Sequence, residues 1–252
     1  DARQLSTKLE RAKSVDTVLG LCVAHGFGSL SAVHVAAALK RIEFLQFATP
    51  GSKGSAGLGA LREKPRFRQL LGRVEGAMAG AKKASTVLMA LRPLGALRAT
   101  PGAGAVAALD AALAHSAGEL SARDVLTVLN AYGRLGLAPG GTLCEALGGR
   151  IAELHPAGEL RATQAVAMLV LLSKVDARLS QDAVSALGAV VTKDARQLST
   201  KLERAKSVDT VLGLCVAHGF GSLSAVHVAA ALKRIEFLQF ATPGSKGSAG
   251  LG

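Results

Sequence analysis

A degenerate period of about 38 residues constrains this chain more than any other feature. Around Val87 it reads VLMALRPLGAL and around Val125 it reads VLTVLNAYGRL. Val87, Leu88, Leu91, Gly95 and Leu97 thus recur at Val125, Leu126, Leu129, Gly133 and Leu135, a step of 38. AGELSA (117–122) returns as AGELRA (157–162), and Leu160 steps to Leu198. TVLGLCVAHG (210–219) restates DVLTVLNAYG (124–133), with His218 in the place of Tyr132. Such a period carries one supersecondary unit per repeat. In the 124–160 unit, Val125, Val128, Leu129, Tyr132 and Leu135 follow helical spacing of three and four, and Asp124 suits the start of a helix. LAPGGT (137–142) breaks that helix, and Leu143, Leu147, Ile151 and Leu154 begin another, ended by Pro156 and Gly158. Neither helix can bury its stripe alone, whereas stacked neighbours can. The pattern predicts an all-α fold, an α-solenoid of stacked helical pairs.

A longer identity overlies this period. Residues 1–59 recur letter for letter as 194–252, which leaves 193 unique positions among 252. Helical pairs are predicted near 15–47, 83–116, 122–155, 162–192 and 208–240. Two helices fall outside the pairs, at 65–79 with Pro65 in its first turn, and at 195–205 with its copy at 2–12. Pro93 predicts a kink. The organisation expected is a helical repeat at 1–47, a Gly/Ser-rich linker at 48–60, a solenoid over 61–240 and a Gly/Ser-rich tail at 241–252.

Composition narrows the partners. Hydrophobic residues make up 49% and aromatic residues 3%, with no Trp and one Tyr, so the core must be aliphatic and helical. No apolar run reaches the ~20 residues of a membrane span, and the opening DARQLSTKLERAK lacks the apolar run of a secretory signal. Cys22, Cys144 and Cys215 sit in apolar helical patterns, as buried thiols of a reducing compartment do. The net charge of +12 favours a polyanionic partner, nucleic acid above an anionic membrane surface, or serves only to keep a basic protein in solution. Few rings argue against strong single-strand stacking and favour structured RNA.

Arg62, Lys64, Arg66, Arg68, Arg73, Lys82 and Lys83 put seven bases against two acids between 60 and 83. On a helix from Pro65, Arg66 and Arg73 share a face, while Arg68 lies about 200° round from Arg66. The segment reads as a phosphate-contacting element or as a solvated helix face. Within the repeats, Arg92, Asn130, Arg134 and Lys174 occupy outward positions of first helices, and Arg123 and Arg161 lie near first-helix starts. Residues recurring in this way can contact successive bases, or can be ordinary polar surface. His25 and its copy His218 take the Tyr132 position, which predicts packing. Phe44, Phe47 and Phe67 also read as packing residues. His115 and His155 lack metal-ligand spacing, GAMAGAKKAS (76–85) has the wrong spacing for a phosphate loop, and no catalytic motif occurs. The expectation is a non-enzyme without metal, cofactor or small-molecule substrate.

LSTKLERAKSVDTVLGLCVAHGFGSLSAVHVAAALKRI (198–235) resembles the opening helical repeats of organellar octotricopeptide and RAP-domain proteins. Leu198, Leu202, Ser207, His218, Gly219, Val226, Val228, Ala231, Leu232 and Arg234 carry the match. DVLTVLNAYGRLGL (124–137) is similar to the first helix of a heptatricopeptide or octotricopeptide unit. The Pro-Pro-Pro-Glu-Trp signature of octotricopeptide repeats is missing, and no RAP-domain pattern is present. The resemblance implies an RNA-binding α-solenoid of a mitochondrion, or alternatively a chloroplast. It would hold rRNA within a mitochondrial ribosome, or protect a transcript, among the proteins of a ribonucleoprotein assembly. The competing expectation is a protein-interaction scaffold that makes no direct RNA contact.

Overall fold

Serines start the helices of the repeated segment. The Ser14 hydroxyl accepts the Thr17 N–H at 3.1 Å, and in the second copy Ser207 accepts the Thr210 N–H at 3.1 Å. Each supplies one of the bonds that a helix N-terminus lacks. A computed structural model describes residues 2–48, 54–175, 177–218 and 225–240. The expected tail at 241–252, the 49–53 part of the linker and Gly219 lie outside the described residues. Among those described there are thirteen α-helices and no strand. They are α1 (Ala2–Arg11), α2 (Val15–His25), α3 (Ala32–Phe47), α4 (Leu58–Glu63), α5 (Pro65–Met78), α6 (Ala84–Leu97) and α7 (Ala103–His115), then α8 (Ala122–Leu135), α9 (Gly141–Leu154), α10 (Ala162–Val175), α11 (Gln181–Arg204), α12 (Val208–His218) and α13 (Ala225–Phe240).

The chain divides into two compact units, Asp1–Leu187 and Gly188–Gly252, so the boundary falls within α11 and not at 48–60. In the first unit, α1 packs on α3, α3 on α6, α6 on α8 and α8 on α10. A second row runs from α2 to α5, α7 and α9. The expected pairing of α2 with α3 is present as well, since these two helices also pack together. The 2–12 and 65–79 helices, thought to stand apart, supply the partners: α1 heads the first row and α5 follows α2 in the second. The start of α3 resembles that of α8. Both begin with a serine capping box, Ser31 with His34 and Ser121 with Asp124. His25, expected to pack, is exposed, and its ring meets the buried His34 edge-on at 5.5 Å.

Three other expectations need correction. The 48–60 segment is not wholly linker, because 54–57 form a 3-10 turn and Leu58 and Leu61 bury their side chains. The helical pair expected to end at 192 and the helix expected at 195–205 join in one continuous α11, since neither Gly nor Pro interrupts the chain after Gly188. Phe44 and Phe47 are 47% and 41% exposed, and of the three phenylalanines weighed for packing only Phe67 is buried. Pro93 is accommodated, buried, within a continuous α6.

Successive first-row helices meet at the recurring glycine. A Cβ on Gly95 would lie 2.9 Å from the Ala131 Cα, and one on Gly133 would lie 3.3 Å from the Val175 side chain. Rows are tied by buried polar contacts as well. The Tyr132 hydroxyl of α8 donates to Asp110 Oδ1 of α7, and Asp110 Oδ2 accepts the Gly140 N–H at the start of α9 at 2.9 Å. Burial foremost, and then the hydrogen bond and negative charge of Asp110, push the Tyr132 phenol well above its ordinary value. Because the folded value is raised, this contact contributes fully below about pH 10 and is lost as pH climbs beyond it. In a chain with one Tyr and no Trp, absorbance near 295 nm reports this group alone. We expect no phenolate signal from the native protein as pH rises through 10–11, and a rise only with loss of helical ellipticity. A simple titration near pH 10 with the helices intact would contradict the buried contact.

The three cysteines are buried thiols, and burial pushes Cys22 up to about 11. In the second unit Leu198, Leu202, Ala205, Val211, Cys215 and Ala231 form the core. Arg234 donates to the Ala205 carbonyl at 2.7 Å, as Arg41 does to Ala12 at 2.7 Å in the first copy. The identical sequences therefore keep the same inner core positions and the same arginine contact.

Candidate nucleic-acid interface

Basic side chains gather where three first-row helices run side by side. Lys83 precedes the first turn of α6, Arg92 lies further along that helix, and Arg123 lies in the first turn of α8. With Lys40 of α3 they line one groove of about 660 Å³. Glu119 and Asp124 also line it, but the Asp124 carboxylate accepts from the Ser121 hydroxyl at 2.6 Å and its N–H at 3.1 Å. Arg92 pairs with Glu43 at 3.3 Å while remaining largely exposed. Lys40, Lys83 and Arg123 are exposed and make no ion pair among the described residues. The groove thus presents four cationic groups to two carboxylates, and one of those carboxylates is engaged in a helix cap. Thr127 and Ser85 add hydroxyls. An exposed, largely unpaired cluster of this kind attracts phosphate oxygens.

Lys40 was missed by sequence reasoning because α2 had been aligned with α8. Matching FGSLSA (27–32) with AGELSA (117–122) instead places Lys40 at the Asn130 position, which is also the Arg92 position. Asn130 is exposed on α8 but does not line this groove.

The 62–73 segment behaves differently. α5 belongs to the second row, so none of its bases reaches the groove. Its inner face is Phe67, Leu70 and Val74. Arg73 is half-buried and donates to the Leu30 carbonyl at 3.1 Å, the same contact that Arg150 of α9 makes with Leu120 at 2.7 Å. Both arginines pin the loop ahead of a first-row helix, so Arg73 is a structural residue. Lys64 pairs with Asp16 at 2.6 Å, and Arg68 donates to the Arg62 carbonyl at 3.1 Å. Arg62 donates to the Leu58 carbonyl at 3.2 Å and reaches that of Arg98. Arg66 is exposed, and so is Lys82, which lines a separate cleft with Arg73 and Lys83.

Further along, Arg134 joins Arg98, Phe47 and Glu43 in a second pocket of about 460 Å³. Arg161 precedes α10 and Lys174 lies in its last turn, and both are exposed, but that helix also exposes Val166, Leu169 and Val170. Among the described residues no group of three or more His, Cys, Asp or Glu is placed to hold a metal ion. No described helix is long and apolar enough to cross a membrane. No protein-family model matches the chain, and no curated protein is similar to it.

Proposed function

We propose that this protein is an organellar RNA-binding α-solenoid, built from helical pairs that repeat about every 38 residues and similar to octotricopeptide and heptatricopeptide proteins. The observation that supports it best is the groove of Lys40, Lys83, Arg92 and Arg123, drawn from three consecutive first-row helices. Its basic groups neutralise phosphates, and the neighbouring hydroxyls and Asn130 offer limited base discrimination. The role is to hold rRNA in a mitochondrial ribosome or to protect an organellar transcript, with other ribonucleoprotein components as neighbours. A chloroplast is the alternative compartment.

The test is anisotropy of a labelled RNA against the full chain across a salt series. Affinity should fall steeply with salt, and reversing the groove charges (K40E, K83E, R92E, R123E) should lower the log–log slope by about 3. The same reversal at Arg66 and Arg68 should change it less. RNA crosslinked in the organelle separates the two roles, one rRNA region from one messenger. A second reading, a protein-interaction scaffold, draws on the exposed Val166, Leu169 and Val170 of α10. Binding of a protein partner that survives high salt, with no crosslinked RNA, would favour it.

A further inference from the structure

The pocket at the far end of α3 and α6 points beyond phosphate binding. We infer that it receives one unpaired RNA nucleotide, with the base stacked on the Phe47 ring and the phosphate held by Arg98 and Arg134. The inference rests on the RNA-binding reading and gives it a site for a single-stranded nucleotide.

Three observations converge. Phe47 ends α3 with 41% of its surface exposed, in a pocket whose other side chains include two guanidiniums. An exposed ring beside fixed positive charge is the pairing that single-strand binders use, one for the base and the other for the backbone. Nearby Phe44 differs, because the Arg41 guanidinium already lies 4.9 Å from its ring centre.

Arg98 carries the second observation. It caps α6 in the left-handed region at φ 48°, where Ala99 N–H bonds back to the Leu94 carbonyl at 3.0 Å. One period later the same cap is Gly136 at φ 67°, with Leu137 N–H bonded to the Tyr132 carbonyl at 3.1 Å. Glycine fills such a position without strain, and arginine does not. Strained side chains of this kind cluster where a ligand needs them.

The third is shape and edge chemistry. About 460 Å³ lies within the range of small-ligand pockets, roughly 300–1,000 Å³. Gly95 and Ala96 keep one wall low. The half-buried Glu43 carboxylate accepts from Arg92 through Oε2 at 3.3 Å, and its Oε1 is an acceptor for the exocyclic amine of adenine, cytosine or guanine, which uracil lacks.

The chain has no Trp, so Phe47→Trp in the full protein places its only tryptophan inside the pocket, excited apart from Tyr132 near 295 nm. Oligo(A) should quench its emission at lower concentration than oligo(U), and an RNA duplex of equal length should not quench it. Phe47→Ala should weaken oligo(A) binding about tenfold. Arg98→Gly should melt no lower than the wild type, yet bind oligo(A) about tenfold more weakly, which a purely structural role for Arg98 would not produce. Arg134→Lys should retain most binding and Arg134→Glu should lose it. If wild-type protein binds oligo(A) by anisotropy, while Phe47→Trp emission and Phe47→Ala affinity stay unchanged, the pocket assignment falls and RNA binding stands. If the wild type binds neither single strand nor duplex, the RNA reading falls and takes the pocket with it.

Discussion

Leu39→Ala should destabilise the first unit by about 2–5 kcal/mol, while Leu232→Ala should cost less than about 0.5 kcal/mol. The two leucines occupy the same place in the same 59-residue sequence. Leu39 is fully buried, on a helix that packs against α5 and α6, whereas Leu232 is 62% exposed. Truncating the first removes apolar surface and leaves a cavity; truncating the second changes contact with water. Val35 and Leu19 are likewise buried, while their copies Val228 and Leu212 are each 43% exposed. Hydrogen exchange read by peptide mass at α6 and α8, whose sequences occur once, separates the outcomes: protection there should fall in Leu39→Ala and change little in Leu232→Ala. Equal losses from both variants would mean that α13 buries its outer face as α3 does.

Gly95→Ala should destabilise the protein even though alanine favours helix by about 1 kcal/mol over glycine. The added carbon would sit 2.9 Å from the Ala131 Cα and 3.2 Å from its carbonyl oxygen. Backbone cannot rotate aside, so α6 and α8 must separate, and overpacking of this sort costs about 1–3 kcal/mol. Gly95→Leu should cost more. Gly20→Ala in α2 is the control, because a Cβ there meets nothing within 4 Å, and it should stabilise by about 0.5–1 kcal/mol. Opposite signs in two thermal melts are the expected outcome. A stabilised Gly95→Ala would show that the first-row helices do not approach closely at this position.

Gly95 and Gly133 stood out in the sequence as a recurring pair, and the tertiary structure supplies the reason: each lies where the next first-row helix crosses. Helix positions were similarly legible, since Pro65, Asp124 and the LAPGGT break at 137–142 mark ends through local geometry. Which helices line up in each row was not. The GSLSA and GELSA segments align α3 with α8, yet the stronger apolar match of 210–219 to 124–133 drew α2 into that place. Both helices carry similar stripes, and a stripe does not name its partner. The candidate site suffered in the same way. Arg92 and Arg123 were readable from periodicity, but Lys40 needed the correct alignment, and Arg98 and Phe47 needed the pocket. Arg73 looked like an exposed base because hydrogen bonds to a carbonyl 43 positions away leave no mark on spacing.

The repeated 59 residues separate the two kinds of information. Sequence by itself determined their helices, their serine caps and their inner core, because those depend on neighbours within one or two turns and on partners inside the segment. Both copies consequently place Leu5 and Leu198, Leu9 and Leu202, and Cys22 and Cys215 in the interior. Only the tertiary structure decided whether the outer face of the third helix is core or surface. In the first copy α5 and α6 cover that face, and burial is a property of what lies against a side chain, not of the side chain alone.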